Sequence, residues 1–486
     1  MRGEGGEDTS RFGKLFPDCP PYEIHSKYLL ALSATMLEPE DSDALTIGPE
    51  NLPAGYTYLG QFLDHDITFD AASLSQRRAD PSARFNFRSP FLDLDSLYGR
   101  GVVDQPYLYD LKSGSRGMFL TDKDTPSQGE WDLPRNQAGV GVIADPRNDA
   151  NLILSQLHLA FMQYHNKVFE DLAASGVAAD ERYEATCQVV RNHYQWMIAE
   201  DYLSRIIAPE VLSSVLVEAP FRGGEETWRV DLKHFPLDQV FMPMEFSAAA
   251  FRFGHSMVRS MYFPNREGRT PGLPIFDRLQ PDNDDANDFR GFRKRPLGMR
   301  IDWSGFFRMT DASPQLARPI DTLIAHPLVF LPTKVAGQSQ HRALPFLNLT
   351  RGVERKLPCG QDVAQALGVT TGVIGKDLAF RINQSGFSGS PSNVAGTGVS
   401  LDELQQKFRE KLPLWYYVLK EAELVGEGSR LGPIGSRIVA EVVLGLLLAD
   451  KSSIFQEQKA FRPRAGHFGC IHDNSFSVVD LLRYAV

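Results

Sequence analysis

Tyr58-Leu59-Gly60-Gln61-Phe62-Leu63-Asp64-His65-Asp66-Ile67-Thr68-Phe69 is the stretch on which the fold turns. Aromatic and aliphatic residues recur in it at helical spacing and no proline interrupts it, so the spacing predicts a helix. Residues three and four apart share a helix face, which turns Gln61 and His65 in one direction. Successive side chains diverge by about 100°, so Asp66 points elsewhere. One short segment can serve a reaction centre with one face and a cation with another.

Two local readings compete for His65. An isolated histidine is most simply a buried side chain with satisfied hydrogen bonds. Alternatively, His65-Asp66 and His472-Asp473 could be halves of a metal-hydrolase site. That reading needs further histidines at ligand spacing, and the chain contains no H-E-x-x-H or comparable set.

Downstream lies Ser89-Pro90-Phe91-Leu92-Asp93-Leu94-Asp95-Ser96-Leu97-Tyr98-Gly99-Arg100. Oxygen groups at alternate positions, Ser89, the Phe91 carbonyl, Asp93 and Asp95, suit a hard cation, because an extended backbone turns alternate groups to one side. Asp66 adds a third carboxylate, and mixed carbonyl, hydroxyl and carboxylate ligands favour calcium. Taken alone, such a D-x-D pattern is more often an ordinary acidic turn.

Ala144-Asp145-Pro146-Arg147-Asn148-Asp149-Ala150-Asn151 leads into a helix whose stripe is Leu154, Leu157, Phe161, His165, Val168 and Leu172. Asp145 or Asn148 is expected to cap that helix. His158 and His165 lie on or beside the stripe and read as core histidines. Arg147 sits at the loop-to-helix junction, where a guanidinium can point into a cavity while the helix behind it stays rigid. Within the helical region Met242 to Tyr262, Phe251-Arg252-Phe253-Gly254-His255 puts a histidine on a mixed apolar and arginine face. Gly254 lets something large approach the backbone there, which suits an axial metal ligand. Asn348 and Arg351 offer an amide and a cation three residues apart.

Composition bounds the rest. The 486 residues are 42% hydrophobic and 23% charged, with a formal net charge of -10. That balance describes an ordinary globular protein and argues against a nucleic-acid partner. The basic run from Arg290 to Arg300 reads as a solvated loop. Cys19, Cys187, Cys359 and Cys470 are scattered without a C-x-x-C pair, consistent with reduced thiols in a cytosol. Met1 to about Pro21 reads as a flexible arm, with residues 22–486 as one domain. Its start lacks a charged segment followed by an apolar one, so the expectation is a cytoplasmic protein or one exported without a classical signal peptide. Ile438 to Ala449, the longest apolar run, is too short to span a bilayer. Helical candidates cover Tyr22 to Leu37, Arg191 to Ile207, Leu401 to Leu412 and Gly435 to Leu448, while Ser385 to Thr397 reads as a connection. Strand-like alternation is scarce, so a mainly α architecture is expected.

Taken together and in this order, Gln61-x-x-Asp64-His65-Asp66, Phe91-x-Asp93-x-Asp95-Ser96-x-Tyr98-Gly99, Asp145-Pro146-Arg147, Phe251-Arg252-Phe253-Gly254-His255 and Asn348-x-x-Arg351 resemble the animal-type haem peroxidases of the peroxidase-cyclooxygenase superfamily. The compact length looks more like the bacterial branch. The resemblance implies a single large helical domain around a central haem b. It also implies reduction of hydrogen peroxide via a ferryl intermediate, with oxidation of a small donor. His65 would be the distal base, Arg147 would stabilise charge on the departing oxygen, and Gln61 would hold the distal water or an anion. An ordinary imidazole pKa of about 6.5 would suit His65 for taking and returning the proton. His255 would bind the iron, with Asn348 accepting a hydrogen bond from its far nitrogen, Arg351 meeting a propionate and Arg252 supporting that face. Asp66, Ser89, Phe91, Asp93 and Asp95 would hold calcium.

Mammalian members attach haem by two esters. Asp64 occupies the first position, but the second is Ala150, so at most one ester can form by this route. Phenols, iodide, bromide or thiocyanate are therefore safer donors than chloride. Two rivals remain. In a fatty-acid dioxygenase of the same superfamily a radical tyrosine would stand three positions before the axial histidine, where this chain has Arg252. In a non-catalytic haem and calcium interaction module a distal residue would usually be lost, whereas Gln61, His65 and Arg147 are all present.

Overall fold

Helices form where the apolar periodicity is longest. In the computed structural model, residues 11–38, 48–49, 51–69, 86, 88–122, 131–220, 227–265, 272–336, 341–369, 392–456 and 461–486 are described. Among them the principal helices are α1 (Ser26–Thr35), α2 (Gly55–Ile67), α3 (Leu152–Ala174), α4 (Arg182–Met197), α5 (Leu344–Glu354), α6 (Leu414–Leu424), α7 (Pro433–Ala449) and α8 (Val478–Ala485). Strand structure among the described residues is confined to two small sheets. β1 (Phe12–Gly13) runs parallel to β4 (Met242–Pro243), and β2 (Leu216–Glu218) runs antiparallel to β3 (Arg229–Val230). The expected mainly α architecture is what forms.

The quoted stretch is α2, and it lies at the centre of the core. Tyr56, Tyr58, Leu59, Phe62 and Leu63 are all buried. Phe62 stacks on Phe161 of α3 with ring centroids 4.4 Å apart, a pairing that contributes about 0.5–1.5 kcal/mol beyond the area it buries. The contact fixes α2 against α3, so the residues leading into α3 come to lie beside His65. Behind them α4 runs into a π-helical turn, Ile198–Tyr202. Asp201 of that turn accepts from the Tyr56 hydroxyl at 2.8 Å and pairs with Arg205.

Three local expectations are corrected. The flexible arm does not extend through residues 11–21: Phe12, Leu15 and Phe16 are buried. β1 pairs with β4, and the Leu15 and Phe16 N–H groups donate to the buried Glu245 carboxylate. Three apolar side chains within five residues outweigh the glycine and proline around them. The basic run is a loop that is only partly solvated: Lys294 and Arg300 are exposed, but Arg290 and Arg295 are buried. Arg290 forks onto Asp288 at 2.6 Å, and Arg293 meets the same carboxylate at 3.2 Å. Finally, the cap of α3 is Asn151, whose Oδ1 accepts from Leu154 N–H, while Asp145 caps the preceding 3-10 turn Pro146–Asp149. Asn148 caps nothing, which frees its amide for another task. Residues 1–10 and 385–391, covered by the arm and connection expectations, lie outside the described residues. All four cysteines are free, and no helix among the described residues is long and apolar enough to cross a membrane.

Candidate active site

A cavity of about 460 Å³ lies between α2 and the 3-10 turn Ala250–His255, within the roughly 300–1,000 Å³ usual for small-molecule and cofactor sites. Its walls bring together Gln61, Asp64, His65, Arg147, Arg252, His255 and Arg351, so most of the expected site residues converge. Asp66 is on the opposite face of α2 and does not line it, as the helical step requires.

On the α2 side, His65 is fixed by a contact the sequence did not disclose. Its Nδ1 donates to Asn148 Oδ1 at 2.7 Å, and Asn148 Nδ2 donates to the buried His158 Nδ1 at 3.0 Å. This chain makes His65 an Nδ1–H tautomer, so Nε2 carries the lone pair. Burial lowers the His65 pKa to about 4, and the Arg147 charge beside it pushes the same way. The unperturbed value expected from sequence is therefore corrected downward: the imidazole is a neutral base across the ordinary pH range. Arg147 is anchored rather than free. Its Nη2 donates to the His65 carbonyl at 2.8 Å and to Asp145 at 2.7 Å, and its guanidinium lies 4.5 Å from the Phe69 ring centre. Burial opposes ionisation of Asp145, but the charge and hydrogen bonds of Arg147, with Arg88 adjacent, outweigh it and hold the carboxyl below its ordinary range. Gln61 accepts from Asn151 Nδ2 at 3.2 Å.

Across the cavity, His255 sits at the end of a 3-10 turn rather than in the helix expected there. With three residues per turn, Arg252 and His255 still share a face. The turn is pinned from behind by Trp415 of α6, whose Nε1 donates to the Arg252 carbonyl at 3.1 Å. Asn348 of α5 reaches His255 as expected, but with its amide reversed. Arg252 Nη1, which can only donate, holds Asn348 Oδ1 at 3.1 Å, so Asn348 Nδ2 faces His255 Nδ1 at 2.8 Å. The expected acceptor is thus a donor. Ligation through Nε2 would require Asn348 to turn over and release Arg252, or the ring to donate as an imidazolate. Burial lowers the His255 pKa to about 3, helped by the charges of Arg252 and Arg351, so the ring is neutral, with its single proton on Nε2 in this arrangement.

These walls fit a haem. A Cβ built on Gly254 would meet nothing within 4 Å, leaving open space beside His255. Arg351 lines the cavity together with Arg355, one turn further along the chain. The R-x-x-x-R spacing was readable in the sequence and was missed. Both positions at which esters form in the mammalian proteins, Asp64 and Ala150, border the cavity, and only the first carries a carboxylate. Tyr56, Tyr58 and Tyr202 also line the cavity, together with Phe12 from β1.

The expected calcium ligands gather behind α2 but are not arranged as a cage. Asp66 accepts from the Leu94 and Ser96 N–H groups, both at 3.2 Å. Asp93 accepts from Asp95 N–H, and Asp95 accepts from Ser89 N–H. Among the described residues no three His, Cys, Asp or Glu side chains stand in metal-holding geometry, and this also leaves the His-Asp hydrolase reading without support. Arg88 pairs with Asp95 at 3.4 Å and Arg191 lies beside Asp93, yet burial still disfavours ionisation of the cluster. Burial, with Asp93 and Asp95 nearby, pushes Asp66 up to about 8; burial and Asp95 raise Asp93 to about 6. The buried hydroxyl of Ser96 has no hydrogen-bond partner, and that of Tyr194 faces Asp66.

Comparison with known proteins gives this geometry a context. The animal haem peroxidase family profile matches residues 68–279. That span contains Arg147, Arg252 and His255 but not Gln61, His65, Asn348 or Arg351. Thyroid peroxidase of Canis lupus familiaris is 24% identical over 218 residues, 40% of this chain and 22% of that protein. Thyroid peroxidase of Rattus norvegicus is 22% identical over 401 residues, 77% of this chain and 39% of that protein. The matched parts thus span well under half of these relatives' lengths. Among solved structures, peroxidase A from Dictyostelium discoideum superposes with a TM-score of 0.61 at 17% identity, covering 93% of this chain and 89% of that one. The fatty acid alpha-dioxygenase of Oryza sativa gives 0.65 at 14% identity, covering 94% and 78%. Likenesses at these identities establish a shared fold.

Proposed function

With residues 68–279 belonging to the animal haem peroxidase family, we propose that this protein is a haem peroxidase that reduces hydrogen peroxide and oxidises small donors such as phenols, iodide, bromide or thiocyanate. The observation that carries the proposal is the convergence of His65 and His255 on one cavity, each with its Nδ1 engaged by an asparagine. His255 would hold the haem iron, and Arg351 and Arg355 would meet its carboxylates. When bound, the haem supplies the electrons that break the peroxide O–O bond.

The chain's own groups move the proton and steady the charge. His65 Nε2 would take a proton from one oxygen of the peroxide and return it to the other, which leaves as water. Its low basicity keeps the site open to neutral peroxide, and Asn148 keeps the lone pair directed into the cavity. Arg147 and Gln61 line the same cavity, where the guanidinium would stabilise negative charge on the departing oxygen and the amide would hold the distal water or an anion. Asp64 could contribute one ester to the haem. Calcium belongs to the same proposal, as the ion whose charge would let Asp66 and Asp93 ionise together; the unpartnered Ser96 hydroxyl supports it.

The dioxygenase reading lacks its expected tyrosine. Arg252 holds that position and is committed to the Ser247 carbonyl and Asn348. The deciding experiment compares peroxide-dependent oxidation of a phenol with oxygen uptake on a fatty acid in the absence of peroxide. We expect the first only, and Arg147→Ala should slow it on the order of a hundredfold. Oxygen uptake without peroxide, or an unchanged Arg147→Ala rate, would overturn the proposal.

A further inference from the structure

Residues 11–22 tie together the two pieces of chain that build the His255 side of the cavity. At their start β1 pairs with β4, the Met242 N–H donating to the Arg11 carbonyl at 3.2 Å. The Leu15 and Phe16 N–H groups then share the buried Glu245 carboxylate, at 3.0 and 3.2 Å. Glu245 belongs to the short helix Met244–Ser247, which leads into the turn that ends at His255. At their far end Tyr22 N–H donates to the Leu357 carbonyl at 2.8 Å, and the Cys19 thiol reaches the Asp362 carbonyl at 3.6 Å. Leu357 closely follows α5, the helix that carries Asn348 and Arg351. One segment is thus fastened to the piece bearing the axial histidine and to the piece bearing its asparagine.

Phe12 is where this segment meets the cavity. Phe12, Leu15 and Phe16 are all buried, but of the three only Phe12 lines the cavity wall. The Arg355 guanidinium lies 5.3 Å from its ring centre, within the roughly 6 Å over which a cation is drawn to an aromatic face. Arg355 lines the same cavity, so the ring steadies a cation that faces the interior. The segment contains no helix, and its strand is two residues long. A wall of this kind opens at less cost than a continuous helix such as α2, whose backbone bonds must break together. It also lies before residue 68, where the family match begins.

We propose that residues 11–22 are a strap that completes the haem site, closing over the bound cofactor and setting how fast it leaves. The inference rests on the haem reading and adds Phe12 to its binding residues. With the strap closed, Phe12 holds Arg355 toward the haem carboxylates. With the strap open, His255 and Arg351 remain, but Arg355 loses the ring that positions it. Linkage makes the effect reciprocal: at equilibrium haem must protect the closed strap by the factor by which the strap retains haem.

Two measurements test this. Haem-loaded wild type and Phe12→Ala are each mixed with excess apomyoglobin, and transfer of haem is followed by absorption. We expect at least tenfold faster loss from the variant. Hydrogen exchange of wild type with and without haem reads the reciprocal effect and needs no variant to fold. The Leu15, Phe16 and Tyr22 amides should exchange at least tenfold more slowly once haem is bound. Equal transfer rates, or exchange at these amides unaffected by haem, overturns the strap while haem uptake by wild type keeps the haem reading. A wild type that takes up no haem overturns both.

Discussion

Replacing His65 by alanine is expected to slow the reaction of the haem-loaded protein with peroxide by about 10²–10⁴-fold, the range contributed by a positioned proton-transfer group. The residue is buried, neutral and held in one tautomer, so in the proposed reaction its task would be to accept a proton at Nε2 and give it back. Stopped-flow mixing with peroxide measures that step apart from donor oxidation. Asn148→Leu should show an intermediate loss with haem binding intact, because the base remains but its tautomer is no longer imposed from Nδ1. A His65→Ala rate within a few-fold of wild type would remove His65 from the chemistry and leave it as a packed core histidine.

An effect of similar size is expected in stability, away from the cavity. His165 is enclosed by Tyr98, Phe119, Phe169 and Tyr183, and its ring nitrogens contact the Tyr98 hydroxyl and the Gly117 carbonyl. Burial lowers its pKa from 6.5 to about 3. Below pH 6.5 the unfolded chain therefore takes up a proton that the native state refuses. Native stability is lost as pH falls, by roughly 1.4 kcal/mol per pH unit for this one group, until pH approaches the folded value. Carboxyls pushed upward, such as Asp66, act in the opposite sense, so the measurement has to be a difference. Urea unfolding of wild type and His165→Gln between pH 7 and pH 4 should show wild type losing about 3 kcal/mol or more relative to the variant. Parallel pH profiles would mean that His165 protonates without unfolding the protein.

The parts of the site that were legible in the sequence are those set by spacing within one element. Gln61 and His65 stand four apart on α2, and Asp66 is turned away by the helical step. Arg147 at a loop-to-helix junction could likewise be placed by position alone. What escaped depends on contacts between distant segments. Asn148 reads as a helix cap because asparagine before an apolar stripe usually is one; only the prior claim of Asn151 on that role turns it toward His65. The orientation of Asn348 is decided by Arg252, 96 positions earlier. The seating of Phe12 against β4 and the cavity depends on a partner more than two hundred residues away. Arg355 was within reach of the same spacing argument that found Arg351. Asp66, Asp93 and Asp95 do lie close together, but alternation along a loop could not show that their oxygens would close on backbone N–H groups.

The account depends on one flat iron porphyrin held between His65 and His255. Titrating ferric haem into wild type, His255→Ala and His65→Ala, and following the absorption spectrum, tests this directly. We expect one haem per chain in wild type, with the spectrum of histidine-ligated iron retained in His65→Ala and lost in His255→Ala. Failure of wild type to take up haem, or a His255→Ala spectrum identical to wild type, would contradict it.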